Sequence, residues 1–219
     1  MGKNEGEKTF FLESGIWYTV KQDYKETIDS SVDRILDEAI EIDFPFKKTT
    51  LLTKYKHTDK GKKYEYWYNK ELVTHYAEQE KEAVLLDRKT VSLPGQTPVE
   101  ICDILLRGSE TEYELIHIKY KYGSSALSHL FSQGNVSAEL LADREFRKRA
   151  NRKINREMRF DTEETFDPRQ YTINYGIIAK LGTDRKANIP LFSRINLKIF
   201  IDNLRRMQYK VKLSFINCE

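Results

Sequence analysis

The chain has 219 residues, of which 39% are hydrophobic, 12% aromatic and 32% charged, so it has enough apolar bulk for a packed core and disorder throughout is excluded. Its two cysteines, Cys102 and Cys218, are too few for a disulfide scaffold and lack a zinc-site spacing. No apolar run approaches the ~18 residues of a membrane span. We therefore expect a cytoplasmic protein without a membrane partner.

The first part of the chain predicts a strand over 10–20, where aromatic and β-branched residues cluster, and an amphipathic helix over 24–42. A proline ends this helix, and the lysine-rich stretch over 47–63 is expected to be exposed. We assign 1–63 to an N-terminal extension or small subdomain and 64–219 to the main domain.

The main domain is predicted to begin with a helix and three short strands, whose Gly- and Pro-containing turns are typical of an antiparallel meander. A long helix, a strand, an amphipathic helix and a last strand follow. In order, these elements cover 64–79, 83–91, 99–106, 112–122, 125–142, 171–180, 193–207 and 210–216. The order α-β-β-β-α-β, followed by α-β, predicts an α/β fold with a mixed central sheet flanked by helices.

Charge is unevenly placed along the chain. The net charge is only +3, yet 144–159 contains eight basic and two acidic residues and so carries +6. A solvated helix face is the plain explanation of such a run, and a surface that binds backbone phosphates is the alternative. We expect the helix to continue through this stretch, with Arg147, Arg149, Arg152 and Lys153 as candidate nucleic-acid contacts.

Polar residues inside two apolar strands are the strongest functional signal. Asp103 has apolar neighbours on its strand, and His117 and Lys119 share one face of the next strand because side chains alternate. If the two strands pair, these three side chains meet at one edge of the sheet. A strand carboxylate can bind Mg²⁺, and a nearby lysine can orient water or stabilise charge on a phosphate. A buried ion pair of Asp103 with Lys119 is the alternative.

Asp103, an interval, and then His117-Ile118-Lys119 resembles the signature of the PD-(D/E)XK nuclease superfamily, whose core has the same α-β-β-β-α-β order. Further blocks resemble a sporadically distributed bacterial family of unknown function associated with phage-defence loci, over roughly 64–216. These blocks are YNKE, LLDRK, EICDIL, HIKYKYGSSALSHLFSQGNVSAELL, PLFSRINL and MQYKVKLSFI. Members of that family are generally longer, so this chain resembles their C-terminal portion or a short form.

The resemblance implies a restriction-endonuclease-like core and a metal-dependent nuclease that uses Mg²⁺ or Mn²⁺. Asp103 would hold the metal, Lys119 would position the water, His117 would be a ligand or base, and Glu71 would be an auxiliary carboxylate and metal ligand. Asp87 and Glu100 are weaker substitutes for Glu71. His117 departs from the superfamily, which normally has an acidic residue there, and a neutral imidazole suits zinc, manganese or iron better than Mg²⁺.

The helix after the third strand offers further candidates. Ser124 and Ser125 could bind an anion at its N-terminus, although helix capping alone explains them. The resemblance implies that Ser128 and Gln133 contact phosphate or water. The leading hypothesis is a nuclease acting on DNA in preference to RNA, in antiviral defence. The alternative is an inactive nuclease-fold module that binds nucleic acid or assembles a defence complex, and a homodimer is left open.

Overall fold

The structure, a computed structural model, describes residues 8–13, 16–57, 64–109, 111–121, 123–184 and 187–219. Within these ranges the helices are α1 (Gln22–Asp37), α2 (Lys48–Tyr55), α3 (Tyr64–Glu78), α4 (Ser124–Leu141), α5 (Arg144–Ala150) and α6 (Leu191–Arg206). The strands are β1 (Lys8–Glu13), β2 (Ile16–Lys21), β3 (Ile40–Glu41), β4 (Ala83–Leu85), β5 (Thr90–Val91), β6 (Val99–Glu100), β7 (Ile104–Arg107), β8 (Tyr113–Tyr120), β9 (Tyr171–Ala179) and β10 (Lys210–Asn217).

Six strands form one mixed sheet in the order β3-β10-β9-β8-β7-β4. The four strands from β3 to β8 are parallel, and β7 and β4 complete the sheet as antiparallel strands. Helices α1, α4 and α6 contribute to the core cluster on one face, and α2 and α3 contribute to the cluster on the other. The predicted mixed α/β architecture with helices on both sides of the sheet is therefore confirmed.

The alternation of side chains in β8 explains the two cores. Leu115 is buried in the cluster with α4 and α6, whereas Ile116 and Ile118 are buried in the cluster with α3. Close packing of α4 on the sheet requires Gly134, because a Cβ at this position would lie 2.5 Å from a ring carbon of Tyr175. In the described part of the chain, no helix is both long and apolar enough to cross a membrane.

The prediction is least accurate near the N-terminus. The strand predicted over 10–20 is an antiparallel pair, β1 with β2, and the predicted helix over 24–42 ends at Asp37, after which β3 pairs with β10. The stretch expected to be exposed contains α2, in which Leu51 and Tyr55 are buried. These segments pack into both hydrophobic clusters and extend the sheet, because they cover apolar surface that the later helices leave open.

Two of the predicted meander strands divide into two. The segment over 83–91 gives β4 and β5, and the segment over 99–106 gives β6 and β7. Strands β5 and β6 leave the main sheet and pair with each other. A turn at Arg88 explains the break, since its φ of 65° lies in the left-handed region and cannot continue a strand. The other predicted elements of the main domain match the structure within two residues at each end.

The basic stretch is not one continuous helix. α5 ends at Ala150, and only a short 3-10 turn follows, at Arg156–Met158. Asn151 closes the loop, because its amide donates to the Phe160 carbonyl and its side-chain oxygen accepts from the Phe160 N–H, each at 2.8 Å. These side-chain bonds satisfy backbone groups that a continuing helix would have satisfied, and the charges therefore spread over a folded loop.

Candidate active site

A cavity of about 170 Å³ lies where β7 begins and β8 ends. Its walls come from α3, the turn after β4, β6, the residue before β7, β8 and α4. Most of the lining side chains are polar or charged, and four of them are carboxylates. The lining residues are Glu65, Tyr66, Asp87, Arg88, Glu100, Asp103, Ile118, Lys119 and Gln133.

A step in the sheet creates this cavity. The pairing of β7 with β8 stops at Ile104 and Ile116, while β8 continues for another four residues. Carboxylates take the place of a strand there: Asp103 Oδ2 accepts the Ile118 N–H at 2.6 Å, and Glu65 Oε1 accepts the Tyr120 N–H at 2.9 Å. Two backbone donors of β8 therefore fix two carboxylates at the same edge.

The other charged groups are fixed from the same edge. Lys119 Nζ donates to Glu65 Oε2 at 3.3 Å. The Asp103 carbonyl accepts the N–H of Asp87 at 3.0 Å, and the buried Asn69 amide donates to Asp87 Oδ2 at 2.8 Å. The carboxylates of α3, the β4 turn and β7 are thus placed by hydrogen bonds to backbone and to α3.

Crowding of the carboxylates changes their protonation. Burial raises the pKa of Asp103 well above its usual range, and the nearby Asp87 and Glu100 charges raise it further against the lowering effect of the Ile118 N–H. Burial also raises the pKa of Asp87, against the hydrogen bond from Asn69. Groups of like charge held together in a cleft are typical of sites that bind a cation or transfer a proton.

The structure brings together three of the predicted site residues, since Asp103, Lys119 and Gln133 all line the cavity. Glu71 does not belong to this group. Its carboxylate accepts hydrogen bonds from Lys54, at 2.8 Å, and from Tyr55. Burial alone would raise the pKa of Glu71, but these bonds outweigh burial and lower it. Glu65, six residues earlier on α3, occupies the position expected of Glu71.

His117 does not line the cavity either. Its side chain is 3% exposed, and its Nε2 has no hydrogen-bond partner among the described residues. Burial lowers the pKa of His117 to about 3, so the imidazole is neutral at physiological pH and a weak base. The strand alternation that places His117 and Lys119 on one face is present, but only Lys119 reaches the cavity.

The predicted nucleic-acid contacts separate into different surroundings. Ser124, Ser125 and Ser128 lie in the first turns of α4 and do not line the cavity, and the Ser128 hydroxyl donates to the Ser124 carbonyl. Arg147 is a correction, because it is only 1% exposed and its guanidinium donates to backbone carbonyls. Arg149 is partly exposed, and Arg152 and Lys153 are exposed.

The donor set suits a hard cation. Within the described ranges, no three His, Cys, Asp or Glu side chains form a group that could hold a metal ion by themselves. Magnesium sites need only one or two protein carboxylates, because water and substrate phosphate supply the remaining oxygens. Asp103, Asp87, Glu65 and Glu100 all supply such oxygens. The residues present therefore fit Mg²⁺ or Mn²⁺ better than zinc.

Sequence reasoning missed Glu65, Tyr66 and Arg88 and ranked Asp87 and Glu100 too low. One signal was available, since Glu65 and Asn69 are four residues apart and therefore lie on the same face of α3. The other carboxylates could not be ranked, because strand parity separates Glu100 from Asp103 only if the strand is continuous. The break between β6 and β7 brings both to the same cavity.

Fold and site together describe an α/β protein with an acidic cavity at a step in its sheet. Residues 2–217 match the Family of unknown function (DUF6119), and the chain belongs to this family. The match covers the N-terminal segment as well as the region over which the resemblance was expected. Neither the curated proteins nor the solved structures contain a match to the chain.

Proposed function

We propose that this protein is a metal-dependent nuclease of the PD-(D/E)XK type, with a restriction-endonuclease-like core, which hydrolyses phosphodiester bonds in DNA, and that it acts in defence against foreign nucleic acid. The observation that carries the proposal is the convergence of Asp103, Glu65, Lys119 and Gln133 in one cavity. A carboxylate at the start of one strand and a lysine on its neighbour, joined by a glutamate from the preceding helix, match the resemblance residue by residue.

The proposed division of roles follows from the contacts. Asp103, together with Asp87 or Glu65, would hold the cation, and a bound Mg²⁺ or Mn²⁺ would lower the pKa of a water and neutralise charge on the phosphate. The Lys119 ammonium would orient the attacking water or stabilise the charge that develops on the phosphate oxygens. Its ion pair with Glu65 fixes the ammonium at the cavity wall.

Gln133 would complete the group from the opposite side of the cavity. Its amide has both donor and acceptor atoms, so it can hydrogen-bond a water and a phosphate oxygen at once. α4, which carries Gln133, packs tightly on the sheet through Gly134, so the amide is placed by a rigid element. His117 takes no part in this scheme, since it is buried and lies outside the cavity lining.

Cleavage assays with metal and without it test the proposal. Plasmid DNA, single-stranded DNA and RNA are incubated with the protein and Mg²⁺, Mn²⁺ or EDTA. We expect metal-dependent cleavage that falls about 100-fold or more in Asp103→Ala and in Lys119→Ala, the scale seen when a group stabilising the transition state is removed. Cleavage that survives either substitution overturns the assignment of roles.

A second candidate function is a nuclease-fold module that binds nucleic acid without cutting it. The ion pair between Lys119 and Glu65 favours it, because a lysine held by a carboxylate serves structure as well as catalysis. Tight binding of DNA by the wild-type chain, without cleavage under any of these metal conditions, would establish this function in place of the first.

A further inference from the structure

A cationic surface begins at the cavity and continues onto the loop after α5. The turn that follows β4 packs against α5: Arg149 Nη1 donates to the Ser92 carbonyl at 3.0 Å, and Lys89 Nζ donates to the Lys153 carbonyl at 3.5 Å. Two segments that are 64 residues apart in sequence thus present their basic side chains side by side.

Four cations form this surface, which we call the basic track: Arg88, Lys89, Arg152 and Lys153. All four are exposed, and within the described chain Lys89, Arg152 and Lys153 form no ion pair. Arg88 is shared with the cavity, since it lines the wall there and its guanidinium lies 5.6 Å from the centre of the Tyr66 ring. The basic track is therefore continuous with the acidic cavity.

The arrangement favours a polyanion as the partner. Neighbouring like charges repel one another, and a chain of phosphates relieves this repulsion and releases its own counterions. The cavity itself carries four carboxylates against two cations, so it attracts a phosphate chain poorly in the absence of metal. Binding energy for the polymer has to come from outside the cavity, and the basic track supplies cations at its rim.

We infer that the basic track binds the sugar–phosphate backbone of a nucleic-acid strand where that strand leaves the cavity. The inference rests on the proposed function and specifies its substrate: a polymer long enough to pass the cavity and reach Lys89 and Lys153. Arg147, in the middle of the basic stretch, is excluded from this surface by its burial. Arg88 stands at the junction, where its guanidinium can bind the phosphate next to the reacting one.

Fluorescence anisotropy in EDTA, where metal-dependent cleavage is absent, tests the inference with a labelled strand of about 16 nucleotides, long enough for an extended binding groove. In Lys89→Ala/Lys153→Ala we expect binding at least about tenfold weaker at low salt, and a slope of log K against log salt smaller by about 2, one for each lost phosphate contact. The matched control is Lys56→Ala/Lys210→Ala, which removes the same charge from the end of α2 and the start of β10.

The control variant should bind as the wild type does. An unchanged salt slope in Lys89→Ala/Lys153→Ala, or an equal loss in both double variants, overturns the basic track. All four substitutions are of exposed lysines, and matching thermal melts exclude misfolding. The two proposals fail separately: a wild-type chain that binds through the basic track but never cleaves removes the nuclease alone, and one that cleaves while the salt slope ignores Lys89 and Lys153 removes the basic track alone.

Discussion

Two regions of this molecule remove charge from water in opposite ways. Around Arg147 one guanidinium is 1% exposed and donates to the carbonyls of Leu141, Ala142, Asp161 and Glu163, at 2.6 to 3.0 Å. Its flat face lies 4.6 Å from the centre of a phenylalanine ring. In the cavity, by contrast, several carboxylates share few partners, and burial raises the pKa of two of them.

The difference separates structural charge from functional charge. A buried ion whose donors are all satisfied stabilises the fold around it and has nothing left to offer a ligand. A group of like charges that is only partly satisfied costs folding free energy and persists where a ligand or proton completes it. Sequence alone gives both kinds of residue the same appearance, and four substitutions test whether the distinction holds.

The largest effect is expected at the satisfied charge. Arg147→Ala leaves four carbonyls without their donor, and we expect the free energy of unfolding to fall by about 3 kcal/mol or more. Urea denaturation measures this, with Arg149→Ala, from the same helix but partly exposed, as the control with a loss of about 1 kcal/mol or less. Equal stability losses in the two variants would contradict the structural role of Arg147.

The two glutamates of α3 give the next largest effect. Glu65→Gln keeps an oxygen for the Tyr120 N–H but removes the negative charge beside Lys119, so we expect DNA cleavage to fall about 100-fold while the fold is kept. Glu71→Gln, the matched control, should cleave within about twofold of wild type, because it alters only a pair at the protein surface. A larger loss in Glu71→Gln than in Glu65→Gln would restore the sequence-based assignment.

Asn69 is expected to act through Asp87, as a positioning residue. Asn69→Leu keeps the side-chain volume but removes the donor that lowers the pKa of Asp87, so cleavage should fall about tenfold and the acid limb of its pH–rate profile should move to higher pH. Rates measured across the pH range separate the two effects. A slower enzyme with an unmoved pH profile would mean that Asn69 serves packing alone.

The smallest effect is a gain in stability. Because the pKa of Asp103 is raised in the folded state, the folded protein binds the proton more tightly, and the stability of wild type falls as pH rises from the ordinary Asp range through the folded pKa. Asp103→Asn keeps an acceptor for Ile118 and lacks this charge, so we expect it to gain about 1 kcal/mol over wild type at about pH 8 and less at about pH 5. Urea melts at both pH values provide the measurement, and a difference that does not vary with pH would count against the raised pKa.

The local elements could be predicted because their causes are local. α3, α4, α6, β8, β9 and β10 follow from apolar periodicity and turn residues, and their bounds agree within two residues. The nearness of Asp103 and Lys119 also follows from the sequence, since two adjacent strands joined by a short turn pair in one way. α2 was missed because a short, lysine-rich helix has little apolar periodicity to reveal it.

The choice of glutamate required the tertiary structure. Residues 65 and 71 are separated by six steps of about 100° each, so they lie on different faces of α3, and only the packing of α3 on the sheet decides which face meets β8. The sequence determined the elements, the paired strands and the acid and lysine they carry. Burial of His117 and Arg147, and the gathering of Glu65, Asp87 and Glu100, were decided by contacts between segments distant in the chain, which no local pattern records.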